Sequence, residues 1–261
     1  MSSFEIQNLF NVQGKVVLVT GGSRGIGKMV YISSRSAEDC KVTADELTVL
    51  GPGICIPIPA DLQKYEEVER LAGELASREK ELHVLVNNAG AAWGATLDDF
   101  PDAAFTKVLT LNLQRVFTLT QKVLPLLRAA ARKTKQGEMY TDPARIINIG
   151  SVEGLDVPAH ETYSYSASKA ALHHLSRHLA SKLGSEGIIS NTIACGLFPS
   201  KMTAYTIKNA GDAIVAGIPL QRTGKPEDVA GTALYLASPA ASWVTGATIT
   251  LDGGFLVSGK M

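Results

Sequence analysis

Tyr165 and Lys169 stand four residues apart in the run YSASK. On a helix that spacing puts a phenol and an ammonium on one face, and a neighbouring cation favours the ionised phenol. A side chain that ordinarily titrates near about 10 becomes a usable acid or base near neutral pH. Ser151 follows a β-branched run and offers a hydroxyl to an oxygen gaining negative charge. Asn112 lies within a long helical stretch. Taken singly, Tyr165 reads as a half-buried aromatic, Ser151 as a turn residue and Asn112 as a helix kink. Their joint spacing points instead to proton transfer at one oxygen.

A second group could hold a dinucleotide. TGGSRGIG runs from Thr20 to Gly27 just after the first β-branched run. Gly21, Gly25 and Gly27 let a backbone turn tightly and approach a pyrophosphate, with Ser23, Arg24 and Ile26 beside them. A helix starting there presents free N–H groups. A Gly-rich run alone is an ordinary turn; the strand before it favours the dinucleotide reading. The second strand ends at Ser34 and Arg35, where an acidic residue would accept from a ribose diol. Arg24 and Arg35 suit a 2′-phosphate, so NADP(H) is favoured over NAD(H).

These groups need elements to position them. Strands are predicted at 15–20, 30–33, 54–59, 82–87, 145–149, 188–193 and 248–251, and helices at 39–50, 64–80, 101–132, 162–183 and 226–237. The alternation predicts a parallel sheet covered by helices on both faces, an α/β chain. Phe105, Val108, Leu109, Val116, Phe117, Val123, Leu124 and Leu127 mark the core stripe of the longest helix. No repeat or linker divides the 261 residues, so one domain is expected, with an extension at 1–13, an exposed loop at 129–143 and a substrate lid at 197–225.

Composition excludes several functions. The 25 Lys+Arg balance 25 Asp+Glu, which offers no field for nucleic acid or an anionic membrane. Three scattered cysteines (Cys40, Cys55, Cys195) argue against disulfides and for a reducing compartment. With no secretory leader or membrane span, the chain reads as cytoplasmic. His174 and His178 are four apart, but the glutamate of a zinc-protease motif is missing, so no metal is expected. Arg128, Arg132, Lys133 and Lys135 read as solvated loop charges; docking an acidic acyl-carrier protein is the alternative.

In order along the chain, TGGSRGIG, NNAG at 87–90, Asn112, Ser151 and YSASK resemble the short-chain dehydrogenase/reductase family, down to GKPEDVA at 224–230 and VTGATITLDGG at 244–254. The resemblance implies a single-domain, doubly wound Rossmann-type sheet. It implies that Tyr165 protonates a ketone oxygen as hydride arrives from the nicotinamide, while Ser151 steadies that oxygen. Lys169 would also bind the nicotinamide ribose, and Asn112 would hold a relay water. Asp61 and Leu62 would lie at the adenine, Asn87, Asn88, Ala89 and Gly90 beside its ribose, and Phe198 and Ser200 at the carboxamide. The family's usual Pro-Gly pair reads Cys195-Gly196 here, which predicts a looser loop. PSKMT at 199–203 and NIGSVEGL at 148–155 look most like 3-oxoacyl-carrier reductases and rhamnolipid-type enzymes. A homodimer or homotetramer through the two long helices is implied; alcohol oxidation uses the same residues.

One piece is short. Nine residues, Gly21 to Met29, separate the first two strands, whereas a parallel crossover needs a dozen or more. The first crossover helix is truncated. If VYIS stays a strand, the sheet's apolar face is left exposed and the pyrophosphate poorly held; if the helix runs on, Arg35 cannot reach a phosphate. The rival reading is therefore a catalytically silent splice or gene-model variant.

Overall fold

The computed structural model describes residues 5–21, 29–51 and 53–259. A short helix α1 (Ile6–Leu9) precedes β1 (Val16–Thr20), β2 (Met29–Ser33), α2 (Ala37–Leu50) and β3 (Ile54–Pro57). Then follow α3 (Tyr65–Arg78), β4 (Val84–Asn87), α4 (Asp102–Leu109), a π-helical turn (Thr110–Gln114) and α5 (Arg115–Lys133). A small hairpin, β5 (Lys135–Gln136) and β6 (Met139–Tyr140), leads to β7 (Ala144–Ile149), α6 (Tyr163–Leu183) and β8 (Ile188–Cys195). The chain closes with α7 (Ala204–Ala216), α8 (Pro226–Ala237) and β9 (Thr248–Leu251).

Seven strands form one sheet in the order β3-β2-β1-β4-β7-β8-β9, and every pairing in it is parallel. The order reverses between β1 and β4, so a crevice opens beyond their carboxyl ends. On one face Leu18, Tyr31, Leu85 and Ile146 meet Val68, Leu71 and Leu75 of α3 and Leu119, Val123 and Leu127 of α5. On the other, Val17, Val30, Val84 and Ile147 meet Ala44 of α2 and Leu236 of α8. This is the expected doubly wound α/β arrangement.

VYIS remains a strand, because β2 pairs with β1 from Val16↔Met29 to Thr20↔Ser33. The expected exposure of the sheet's face does not occur: Val17, Val19, Val30 and Ile32 are all buried. Val12, Ala44, Leu236 and Ala241 pack in the same cluster, so neighbouring elements cover that face of the sheet. The crossover's own residues 22–28 lie outside the described residues.

Two other expectations are corrected. Phe117 is exposed rather than core, because α5 packs through Val116, Leu119, Thr120, Val123 and Leu127 and Phe117 falls outside that stripe. The segment 129–143 is not a free loop. Ala130 and Ala131 are buried in α5, and Asp142 lies in an ion-pair network. Its carboxylate accepts from Lys15 Nζ at 2.6 Å and lies 2.6 Å from Arg145 Nη2. The basic cluster is largely paired as well: Arg128 with Glu186 and Lys133 with Glu81, while Lys135 stacks over Tyr140.

Burial alone would raise the Asp142 carboxyl, but Arg145 and Lys15 together hold it below its usual value. A depressed carboxylate adds stability above the ordinary carboxylate range and loses it as pH falls. Asp142→Ala leaves two buried cations without their counter-charge. It should lower unfolding stability by about 3–5 kcal/mol, read by denaturant melts at neutral pH, with the deficit shrinking in acid.

Candidate active site

Asn112 owes its place to the π turn. The break in the i→i+4 ladder re-aims one residue, and Asn112 is buried there. Its Oδ1 accepts from the Ala91 N–H at 2.8 Å, and its Nδ2 donates to the Ala91 carbonyl at 2.9 Å and to Ser168 Oγ at 3.0 Å. The amide thus ties the loop after β4 to α6.

Tyr165, Ser168 and Lys169 come from the first two turns of α6, and Ser151 from the loop that ends β7. Lys169 is buried and donates from Nζ to the Ile149 carbonyl at 2.6 Å; that nitrogen lies 5.5 Å from the centre of the Tyr165 ring. The Ser151 side chain lies near enough to the Tyr165 hydroxyl to act on its pKa. The structure therefore brings Ser151, Tyr165 and Lys169 together, with Asn112 joined to the same helix through Ser168.

Their charge states differ from the sequence expectation. Burial pushes the Tyr165 phenol up to about 12; the Ser151 hydroxyl pulls the other way, and the Glu153 and Cys195 charges add to the rise. Burial pushes the Lys169 ammonium down to about 8. Desolvation of both members outweighs their mutual attraction, so the phenol is held protonated rather than ionised. Cys195, at the end of β8, is likewise raised by burial to about 11, which leaves an inert thiol. The chain after it is pinned rather than loose, since Gly196 donates to the Leu251 carbonyl at 2.9 Å.

The crevice between β1 and β4 has a backbone floor. Gly21 has φ +62°, and a Cβ there would lie 2.5 Å from the Ala89 Cα. Thr20, to which its place in the motif assigns no contact, clamps the opposite wall. Its Oγ1 accepts from the N–H groups of Asn88 at 3.1 Å and Ala89 at 3.2 Å, and its carbonyl accepts from Asn88 Nδ2. Gly90 faces Asn112 and Lys169 across the same opening. Close backbone approach of this kind suits a pyrophosphate. Arg35 is exposed just past β2, and no acidic residue stands between it and the strand end, which fits a 2′-phosphate. An NADP(H) cofactor is therefore compatible with the residues present.

Other expected contacts divide. Asn87 is buried and donates to Asn148 Oδ1 at 2.9 Å, so it braces the sheet instead of facing a ribose. Leu62 turns its side chain into the core, which leaves only its backbone for an adenine. Asp61 is half-buried and accepts from the Gln63 N–H. Phe198 lies where a Cβ on Gly224 would be 2.4 Å from its ring, and the Ser200 hydroxyl is engaged with Thr203. The expected lid contains α7. Ser23, Arg24, Gly25, Ile26 and Gly27 lie outside the described residues. His174 and His178 are exposed.

A family profile described as Enoyl-(Acyl carrier protein) reductase matches residues 25–256. The rhamnolipids biosynthesis 3-oxoacyl-[acyl-carrier-protein] reductase of Pseudomonas aeruginosa is 44% identical over 259 residues, covering 94% of this chain and 98% of that protein. A 3-oxoacyl-[acyl-carrier-protein] reductase of Synechocystis sp. is 35% identical over 258 residues, covering 93% and 97%. The solved Pseudomonas aeruginosa RhlG/NADP active-site complex superposes with a TM-score of 0.86 at 42% identity, covering 95% of this chain and 98% of that one.

A side chain at Gly21 would meet both an unfavourable φ and the Ala89 backbone. Gly21→Val should lower the melting temperature and abolish the stabilisation that NADPH gives the parent protein, as read by thermal shift with and without nucleotide.

Proposed function

The chain belongs to the short-chain dehydrogenase/reductase family, and from that premise we propose that it is an NADP(H)-dependent reductase of ketones, with a 3-oxoacyl thioester or a polyketide-like carbonyl as substrate. The observation that carries this is a protonated phenol, a serine hydroxyl and a buried lysine converging at the carboxyl end of the sheet. NADPH, when bound, supplies the hydride.

The residues do the rest. Ser151 and the Tyr165 hydroxyl both donate to the carbonyl oxygen as it gains charge, and Tyr165 gives up its proton to make the alcohol. A phenol raised to about 12 is in the right form to donate a proton, whereas alcohol oxidation would need it deprotonated first. Lys169 stabilises the phenolate left behind and is placed to restore its proton. Both side-chain ends of Asn112 are spent on Ala91 and Ser168, so a relay water toward Lys169 would be held by its backbone carbonyl. Arg35 would select the 2′-phosphate.

Support for an acyl substrate comes from the rim. Trp93, Leu155, Val157, Met202 and Tyr205 are exposed on segments that follow β4, β7 and β8, at the end of the sheet where the site lies. An apolar rim suits a hydrocarbon chain. Delivery of that chain by an acidic carrier has little support from Arg128 and Lys133, which are already paired. The silent reading keeps one observation in its favour, the short connection between β1 and β2.

Purified protein should show thermal stabilisation by NADPH exceeding that by NADH, and should consume NADPH with β-keto thioesters. No response to either nucleotide would favour the silent form. Tyr165→Phe should lower kcat by about 10²–10⁴-fold while leaving NADPH binding in place.

A pH profile tests the lysine. An ammonium whose pKa is lowered to about 8 is charged below that value and neutral above it. For reduction, kcat/KM should therefore fall as pH rises through about 8, the profile of the free enzyme reporting that group. A flat profile from pH 7 to 9.5 would remove Lys169 from the mechanism.

A further inference from the structure

His173 lies one turn beyond Lys169, on the helix face that carries Tyr165 and Lys169. It is 1% exposed. Its ring sits directly against the loop that bears Ser151: a Cβ on Gly150 would be 2.2 Å from His173 Nε2, and one on Gly154 would be 2.9 Å from His173 Cε1. Those two glycines bracket Ser151, so the absence of side chains on either side lets the imidazole reach the backbone between them. It does so with Nε2, which accepts the Ser151 N–H at 3.4 Å.

That contact fixes the tautomer. With Nε2 as acceptor, the proton of a neutral ring resides on Nδ1, and Nδ1 has no hydrogen-bond partner among the described residues. Burial, with the Lys169 and Arg177 charges adding to it, pushes the ring down to about 4, so it is neutral at working pH. A leucine would fill much the same space without burying an unpaired nitrogen, which costs free energy. What the imidazole adds over leucine is one acceptor, aimed at the backbone of the residue whose hydroxyl faces Tyr165.

The other end of the loop is held separately. Glu153 Oε2 accepts from Thr162 Oγ1 at 2.6 Å and from Ser166 Oγ at 3.0 Å, and the Glu153 N–H donates back to Ser151 Oγ at 3.2 Å. The loop is thus tied to α6 at two points, Ser151 and Glu153.

We propose that His173 is a positioning residue for Ser151, holding its backbone from behind so that its hydroxyl stays aimed at the substrate oxygen. This rests on the reductase reading above. His173 touches neither substrate nor cofactor; its effect passes through Ser151.

The test uses His173→Leu, His173→Gln and each of them combined with Ser151→Ala. A glutamine amide oxygen can accept the same N–H; leucine cannot. His173→Leu should lower kcat about tenfold, the worth of roughly one hydrogen bond at the reacting oxygen, with KM and NADPH affinity nearly unchanged. His173→Gln should recover most of the loss. In the Ser151→Ala background His173→Leu should cost nothing further. A His173→Leu enzyme with full kcat, a loss that glutamine does not rescue, or an equal loss in the Ser151→Ala background would overturn the proposal. If the parent protein reduces no ketone, the reductase reading fails by itself. The link is then read by NMR, where the Ser151 amide should shift and exchange faster in His173→Leu than in the parent; an unchanged amide overturns the link.

Discussion

A lysine ammonium buried against a strand carbonyl is the contact on which the site depends. Lys169 reaches from α6 to the Ile149 carbonyl, which lies at the last position of β7. That single bond fixes the depth of the helix relative to the end of the sheet. Tyr165 sits one turn toward the start of α6 and Ser151 two residues past Ile149, so both positions are set by the same bond. Burying a cation is costly unless it is well satisfied. The depressed Lys169 pKa is the record of that cost, and it is also what brings the ammonium within reach of neutral pH.

The interior behind this contact is unusually polar for a sheet-helix interface. Ser164, Ser168, Lys169, His173 and Ser176 make up much of the buried face of α6. They are met by polar groups on the strands: Asn148 Nδ2 donates to Ser176 Oγ at 3.1 Å, and Asn87 Nδ2 donates to Asn148 Oδ1 at 2.9 Å. Small polar side chains let the helix lie close to the sheet, and directional bonds define its register where apolar packing would permit sliding. The Asn112 amide extends the same logic across to the loop after β4. Three elements that carry reacting groups are joined by hydrogen bonds in addition to apolar packing.

What could be read from residues was what spacing encodes. The i, i+4 relation of Tyr165 and Lys169 needs only a helix, and the alternation of β-branched runs with helical stretches needs only a parallel sheet; both hold in the structure. The β2 strand was legible from VYIS, but its burial was not. That depends on Val12 and Ala241 reaching the same cluster from distant parts of the chain. The π turn at 110–114 leaves no mark in hydrophobic periodicity, and Phe117 reads as core from its residue type although it lies off the stripe that α5 buries. His173 was hidden beside His174, because two adjacent histidines on a helix look like a polar face until the glycines at 150 and 154 show which one faces inward.

The protonation of Tyr165 shows why a motif does not by itself set a charge state. Spacing places an ammonium beside the phenol, and from that alone the phenol should ionise more readily. Burial acts on both groups at once, raising one and lowering the other. Each pKa shift follows from withholding water from a charged form, and in this site that effect exceeds the attraction the spacing supplies. The result is a pair whose members move toward neutrality together: an uncharged acid poised to donate, next to an ammonium made acidic enough to restore its proton near neutral pH. An enzyme that must deliver a proton to a developing alkoxide is served by this arrangement, whereas one that must abstract a proton from an alcohol first has to bring the phenol back down.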